Sequence, residues 1–291
     1  HRKLRMDHKN DSPQQRLPLL ELLLTWEGRL NRSRVCEIFG IGQVRASQWI
    51  REIRDLHPDW MLWESKSRSY YATPDAYKLY SAVSQAHISE SLSRYLSMVG
   101  LPYASAMDDG DGAMWSATPS ITAPSPKAFA SLGHAIRQAK AVDIEYMSLS
   151  EPVPHRRIIY PHSLVLAGHR WHVRAYSETN QEFRDYALGR IREVKPLARP
   201  ADRTRLDDPD WNTKVKVRLV AHPELSSEQA RVIQTEYFNG TASRVETCRA
   251  ALVPYFIQDV RAAMDTEIQR APDYQIAVEN KEEVAPWVFG R

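Results

Sequence analysis

HRRIIYPHSLVLAGHRWHVRAYSETNQEFRDYALGRIR, residues 155–192, decides how the rest of the chain is read. Within it the run Arg170-Trp171-His172-Val173-Arg174-Ala175-Tyr176 alternates in character. Successive side chains of a strand point to opposite faces, so Trp171, Val173 and Ala175 share one side and Arg170, His172, Arg174 and Tyr176 the other. One side is expected to be core and the other cationic and hydrogen-bonding. Gly168-His169 separates this strand from the apolar run 163–167, and glycine at the first of two loop positions suits a type II′ hairpin turn. Polar residues 177–182 then make a second turn, and residues 183–191 are expected to return as a strand. The stretch predicts a small antiparallel β-unit.

Working outward, the positions Arg157, Ile159 and Pro161-His162-Ser163-Leu164-Val165 precede Gly168 and the Arg170–Tyr176 run, and Phe183-Arg184 and Arg190-Ile191 follow it. Together with Tyr146-x-Ser148 upstream, this pattern resembles the WYL domain of bacterial transcriptional regulators, in the branch associated with phage-defence islands of BREX and CBASS type. The name-giving triplet is here Trp171-His172-Val173. The resemblance implies an Sm-like or SH3-like β-barrel that senses a ligand, and it implies pocket roles for Tyr146, Ser148, His162, Arg174 and Arg190. Arginine forks match phosphate geometry, so a phosphate-bearing small molecule or a nucleic-acid ligand is the expected guest. The competing reading pairs these arginines with Glu178, Glu182 and Asp185. His172, where the family usually carries tyrosine, alters the lining of the pocket.

Toward the N-terminus, Leu19, Leu20, Leu22, Leu23 and Trp26 wrap a first helix that Gly28 stops, and Val35, Ile38 and Phe39 face inward on a second. Gly40-Ile41-Gly42 turns into a third, residues 43–56, on which Val44, Ala46, Trp49, Ile50, Ile53 and Leu56 are expected to pack. Gln43, Arg45, Ser47, Gln48 and Arg51 are left on its outer part, as on a recognition helix. Two β-prone pieces, 60–63 and 69–72, then flank a basic tip containing Lys66 and Arg68, which reads as a wing. A winged helix-turn-helix over 12–73 is expected, and an ordinary three-helix unit with a surface hairpin is the bland alternative.

Residues 74–125 read as a helical connector, implied by the resemblance to serve dimerisation, followed by a Pro/Ser/Thr-rich linker. The run Asp108-Asp109-Gly110-Asp111-Gly112 lacks the spacing and terminal Glu of a calcium loop. After an amphipathic helix at 127–140 and a strand at 141–149, the WYL unit is expected to span 126–200. Residues 211–291 read strand, helix, strand, helix, strand, similar in position to the C-terminal extension common on WYL proteins.

The 291 residues exceed the usual single domain, and 43% hydrophobic content suffices for several cores. The net charge is +3, but residues 1–72 hold 13 Lys/Arg against 9 Asp/Glu, so the basic excess is N-terminal. With two distant cysteines, Cys36 and Cys248, a disulfide framework or zinc site is not expected, and without an apolar span or signal-like leader a cytosolic protein is. His155, His162, His169 and His172 are poorly spaced for one metal ion, Ser148 and Ser163 lack a nucleophile elbow, and no phosphate loop occurs. No cofactor is expected.

The resulting reading is an α+β multidomain protein: winged helix-turn-helix, helical connector, Sm/SH3-like WYL barrel and C-terminal α+β extension. Its expected function is a homodimeric repressor of a phage-defence operon, bound to an inverted-repeat operator in double-stranded DNA and relieved by ligand. A ligand-activated activator and, from another class, a nucleic-acid-processing enzyme are the alternatives; no membrane partner is expected.

Overall fold

The computed structural model describes residues 12–100, 122 and 124–288. The run at 108–112 and nearly all of the expected linker lie outside the described residues. The chain forms two compact units, within residues 1–119 and 120–291.

In the first unit, α1 (Pro13–Glu27) opens with proline at its first turn, where no amide hydrogen is needed, and ends on Gly28 at φ 72°. β1 (Arg29–Leu30) leads to α2 (Arg32–Phe39), whose first turn is capped by the Asn31 side chain accepting the Arg34 N–H at 2.9 Å. Gly40 at φ 64° turns the chain into α3 (Gln43–Leu56). β2 (Met61–Glu64) and β3 (Ser69–Ala72) form the hairpin, and β1 pairs with β3. Ala46, Trp49, Ile50 and Ile53 set the buried stripe of α3 at helical spacing and meet Leu20, Leu23, Leu24 and Val35. Burying one such aliphatic side chain contributes about 1.5–3 kcal/mol.

Two expected core positions are corrected. Val44 is 88% exposed and Leu56 54% exposed. Val44 lies across the helix from the Ala46–Ile53 stripe, and Leu56 occupies the last turn of α3. The packing also runs past residue 73. α4 (Pro74–Ser81) and α5 (Gln85–Val99) follow the hairpin, and Tyr95 of α5 is buried in the same core as Leu20 and Trp49. Its hydroxyl donates to Glu27 at 3.0 Å, and Trp26 donates from its indole nitrogen to Ser91 at 3.0 Å.

The second unit opens with α6 (Pro126–Gln138), which lies on a five-stranded antiparallel sheet ordered β7-β6-β5-β4-β8. The strands are β4 (Lys140–Tyr146), β5 (His155–Ala167), β6 (Arg170–Ser177), β7 (Glu182–Ala187) and β8 (Ile191–Pro200). Gly168 at φ 57° makes the expected two-residue hairpin between β5 and β6. The expected return strand to residue 191 ends instead at Ala187. Leu188–Arg190 form a 3-10 turn with Leu188 buried, and the chain crosses to pair β8 with β4 at the far edge. β7 and β8 occupy the two edges of this sheet, and no strand pairing joins them among the described residues.

α7 (Pro209–Asn212) leads to a second sheet, ordered β10-β9-β12-β11, from β9 (Lys214–Ala221), β10 (Ser243–Arg249), β11 (Ala262–Ala263) and β12 (Ile276–Val278). α8 (Ser227–Tyr237) starts with a capping box of Ser226 and Gln229. The second helix expected in this part is split: a 3-10 turn at Ala250–Leu252, then α9 (Val253–Asp259), then Arg261 at φ 51° turning into β11. α10 (Lys281–Val284) and a 3-10 turn at Ala285–Trp287 close the described chain. Val217, Leu219, Val253 and Ile276 centre this core.

Candidate nucleic-acid interface and sensor site

On α3, Gln43, Gln48 and Arg51 are exposed, and Arg45 and Ser47 are half-buried. The Arg45 guanidinium stands 5.7 Å from the Trp49 ring centroid, so an apolar core residue holds the cation's stem against the helix. Gln48 donates to Glu52 at 3.3 Å, and Glu52 accepts a two-point contact from Arg16 of α1 at 2.6 and 2.9 Å. The orientation of α3 on α1 is thus fixed by a charge-assisted fork. Sequence reasoning placed Val44 inside; its isopropyl group instead joins the outer surface, where apolar contact with a thymine methyl is the available chemistry.

The hairpin tip is organised by Glu64. Its carboxylate accepts the Ser67 hydroxyl and the Ser67 and Lys66 amide hydrogens at 2.5, 2.6 and 2.9 Å, bonds that lower its pKa in that order. Arg68 takes φ 52°, and Lys66 and Arg68 both project into solvent from the ordered tip.

The polar face of β6 is not an open cationic surface. His172 and Arg174 are buried, because residues of the C-terminal part cover them. Asp208, fully buried, receives Arg174 Nε at 2.7 Å and Nη2 at 3.0 Å, His162 Nε2 lies 3.0 Å from it, and the Trp211 amide donates at 3.2 Å. Burial alone would raise the Asp208 pKa, but the bonds from His162 and Arg174 hold it well below the usual carboxylate range. Arg174 also reaches Asp185 at 3.4 Å, and Asp185 accepts the Tyr255 hydroxyl at 2.7 Å. Tyr255 tilts against His172 at 5.0 Å, and burial pushes the His172 pKa down. At the β5–β6 turn, Gly168 N–H donates to Asp259 at 3.2 Å, and a Cβ on Gly168 would stand 3.1 Å from that carboxylate.

His162 reaches Asp208 because it is the extra residue of a bulge: Pro161 pairs with Ala175 and Ser163 with Arg174, which leaves His162 without a partner across the ladder. Pro161 has no amide hydrogen for the ladder, and a bulge is where a strand tolerates that.

Of the five expected ligand residues, the structure therefore joins His162 and Arg174, both on Asp208. Tyr146 is buried in the sheet's core, 5.0 Å edge-to-face from Tyr186. Ser148 caps a tight turn by accepting the Glu151 N–H at 2.9 Å. Arg190 lines a separate groove of about 160 Å³ with Arg170, Trp171, Leu188, Gly189, Pro124 and Thr122. The arrangement offers two half-buried arginines to an anion over an indole. Sequence reasoning missed Asp208, although Asp-Pro at a helix start is a recognisable cap. Arg170, expected on the cationic, hydrogen-bonding face of β6, lines the Arg190 groove. Among the described residues no group of His, Cys, Asp and Glu is placed to hold a metal ion. No described helix is long and apolar enough to cross a membrane.

Comparison with known proteins fits this division. Residues 12–100 match the BrxR transcriptional regulator winged helix-turn-helix domain, 127–196 the WYL domain, and 214–284 the BrxR transcriptional regulator C-terminal dimerization domain. The fold and its parts define the class: a winged-helix WYL regulator of the BrxR type, its three domains regulatory and not enzymatic. Over 280 residues the chain is 31% identical to the DNA-binding transcriptional repressor CapW of Pseudomonas aeruginosa, covering 93% of this chain and 90% of that protein. It is 32% identical to CapW of Escherichia coli over 93% of this chain and 90% of the relative, and 31% identical to CapW of Stenotrophomonas maltophilia over 94% and 91%. The chain belongs to the CapW family.

Proposed function

We propose that the protein is a homodimeric DNA-binding transcriptional repressor of a phage-defence operon, relieved by a phosphate-bearing ligand. The observation that carries this reading is the exposed outer face of α3, Gln43, Val44, Gln48 and Arg51, in a unit that also carries a hairpin with a basic tip. In the major groove, Gln43, Arg45, Ser47, Gln48 and Arg51 reach base edges or phosphates, while Lys66 and Arg68 hold the flanking backbone. Two copies read an inverted repeat. The bulge at His162 and the register shifts between β4 and β8 supply the curvature of an Sm-like barrel, and we assign the five-stranded sheet to that class.

The ligand, a nucleotide or nucleic-acid fragment, enters the groove of Arg170 and Arg190. Arg174 and His162 respond through Asp208 instead of touching it, and Tyr146 and Ser148 shape the sheet end next to Arg190, whose carbonyl accepts the Met147 N–H at 3.2 Å. Genomic footprinting followed by fluorescence anisotropy on the bound site tests the core of the proposal. Salt-sensitive, sequence-selective binding to an inverted repeat is the expected result. Equal affinity for every duplex overturns it.

A further inference from the structure

β10 is an edge strand, and its sequence is complementary to itself when reversed. It pairs antiparallel with β9 in unbroken register, Ser243 opposite Val220 through to Arg249 opposite Lys214. The same ladder continues with the Ala250 N–H donating to the Thr213 carbonyl at 2.9 Å. Hydrogen-bonded pairs alternate along an antiparallel ladder, so Arg244, Glu246 and Cys248 turn their main-chain groups toward β9. Ser243, Val245 and Thr247 turn theirs outward. The far side of β9 agrees: its Arg218 carbonyl and His222 amide bond Glu279 and Gln275, which leaves Val215, Val217 and Leu219 for β10.

An open edge of this kind is ordinarily protected by proline, a bulge or charge; β10 has no proline, lysine or bulge, and its charges Arg244 and Glu246 are of opposite sign two residues apart. Place a two-fold axis at Val245 and antiparallel pairing follows. Val245 then exchanges both hydrogen bonds with its copy, and Ser243 faces Thr247. Arg244 faces Glu246, twice, at the non-hydrogen-bonded positions where side chains approach most closely. The register is specified. Centring on Arg244 or Glu246 would set like charges on themselves and turn inward-directed amides to the edge, and centring on Thr247 would set Glu246 against Cys248. Val245 is 43% exposed, so pairing has apolar surface to cover. Arg244 now donates to Glu246 of its own strand at 2.5 Å and to the Tyr237 carbonyl at 3.3 Å, and its fork can extend to the opposing carboxylate. The Ser243 carbonyl accepts the Thr241 hydroxyl at 3.0 Å and keeps a second lone pair for the partner.

We propose that the β10 edge is where a second copy of this chain docks, joining the two C-terminal sheets into one across a closed two-fold. The inference rests on the homodimer reading and names its surface. The experiment uses the full chain and follows mass by light scattering against concentration. Arg244→Glu alone and Glu246→Arg alone each place two like-charged pairs across the axis, and the dimer dissociation constant should rise about tenfold in each. Mixing the two variants, carrying different affinity tags, should recover wild-type affinity as a heterodimer, because opposite charges then face each other at both positions. If either variant unfolds, Val245→Cys in a Cys36→Ser, Cys248→Ser background decides. Its paired Cα atoms would stand about 5.5 Å apart, within disulfide reach, and oxidation should give a covalent dimer. A dimeric wild type whose variants show neither heterodimer preference nor cross-linking overturns the edge assignment and leaves the homodimer intact. A monomeric wild type at concentrations that saturate DNA overturns both.

Discussion

Removing Asp208 should destabilise the second unit by several kcal/mol. Its carboxylate is fully buried and takes two bonds from Arg174, one contact from His162 and one amide hydrogen from Trp211. Deleting one partner of a buried ion pair costs about 3–5 kcal/mol, since the other charge stays behind without compensation. Arg174 retains Asp185 at 3.4 Å and Asp210 at 3.8 Å, so Asp208→Ala belongs at the lower end, about 3 kcal/mol. For a unit of this size that corresponds to a melting temperature lower by about 6–12 °C, measured by scanning calorimetry. Replacing both partners, Arg174→Met with Asp208→Leu, should recover much of the loss, because an apolar pair leaves no buried charge. Asp208 is held below its ordinary pKa, so its stabilisation is present above the unfolded value of about 3.9 and is lost as pH falls through the folded value. The gap between wild type and Asp208→Ala should therefore close in strong acid. A loss under about 1 kcal/mol at neutral pH, or a double variant as unstable as the two singles summed, refutes the reasoning.

In operator titrations, Arg45→Ala should cost about 1–3 kcal/mol and relax selectivity at one base position. Lys66→Ala should weaken all sequences alike and shallow the salt slope by about one, and identical slopes would remove the wing from the interface. Arg190→Ala should leave ligand-free operator affinity within about 0.5 kcal/mol and abolish derepression of the bound promoter in infected cells; loss of operator binding with a lowered melting temperature would make Arg190 structural. Burial lowers the His172 pKa, so below about pH 6.5 the unfolded chain binds more protons and stability falls as pH falls. His172→Phe should flatten that slope between about pH 7 and 5 in denaturant titrations.

Local order was legible where one physical rule dominates. Gly28 and Gly40 end helices in the left-handed region, Asn31 caps, and the Gly168 turn has the two-residue length that its strands require. What the sequence concealed is set by tertiary cover. Alternation correctly put Arg174 and His172 on one face of β6, but nothing local shows that Asp208, 34 residues further along, would close over that face. Val44 was misplaced because an apolar residue at the start of a helix carries no mark of phase, and the stripe had to be fixed by Trp49 and Ile53. Asp185 was considered as a partner for these arginines, and it takes Arg174 and Tyr255 together.

The groove and the buried carboxylate belong to one electrostatic system. Arg170 and Arg190, which line the groove, both disfavour protonation of His172. His172 packs on Tyr255, Tyr255 donates to Asp185, and Asp185 shares Arg174 with Asp208. Asp208 in turn caps α7, whose Thr213 boundary feeds directly into the β9–β10 ladder through Ala250. Burial is the main opponent of a charged His172 and the two arginines add to it, so an anion between them would offset only their part and leave the attraction of Asp185 less opposed. The links from Tyr255 through Asp185 and Arg174 to Asp208 are buried or partly buried hydrogen bonds, and leaving a buried one unmade costs about 1–3 kcal/mol or more. Such a network has few intermediate arrangements, so the proposed ligand response would exchange one complete set of partners for another. On the proposed reading, the size of any response is bounded by the ligand's differential affinity for the two sets, which assigns ligand discrimination to the groove's two arginines and transmission to the Asp208 clamp.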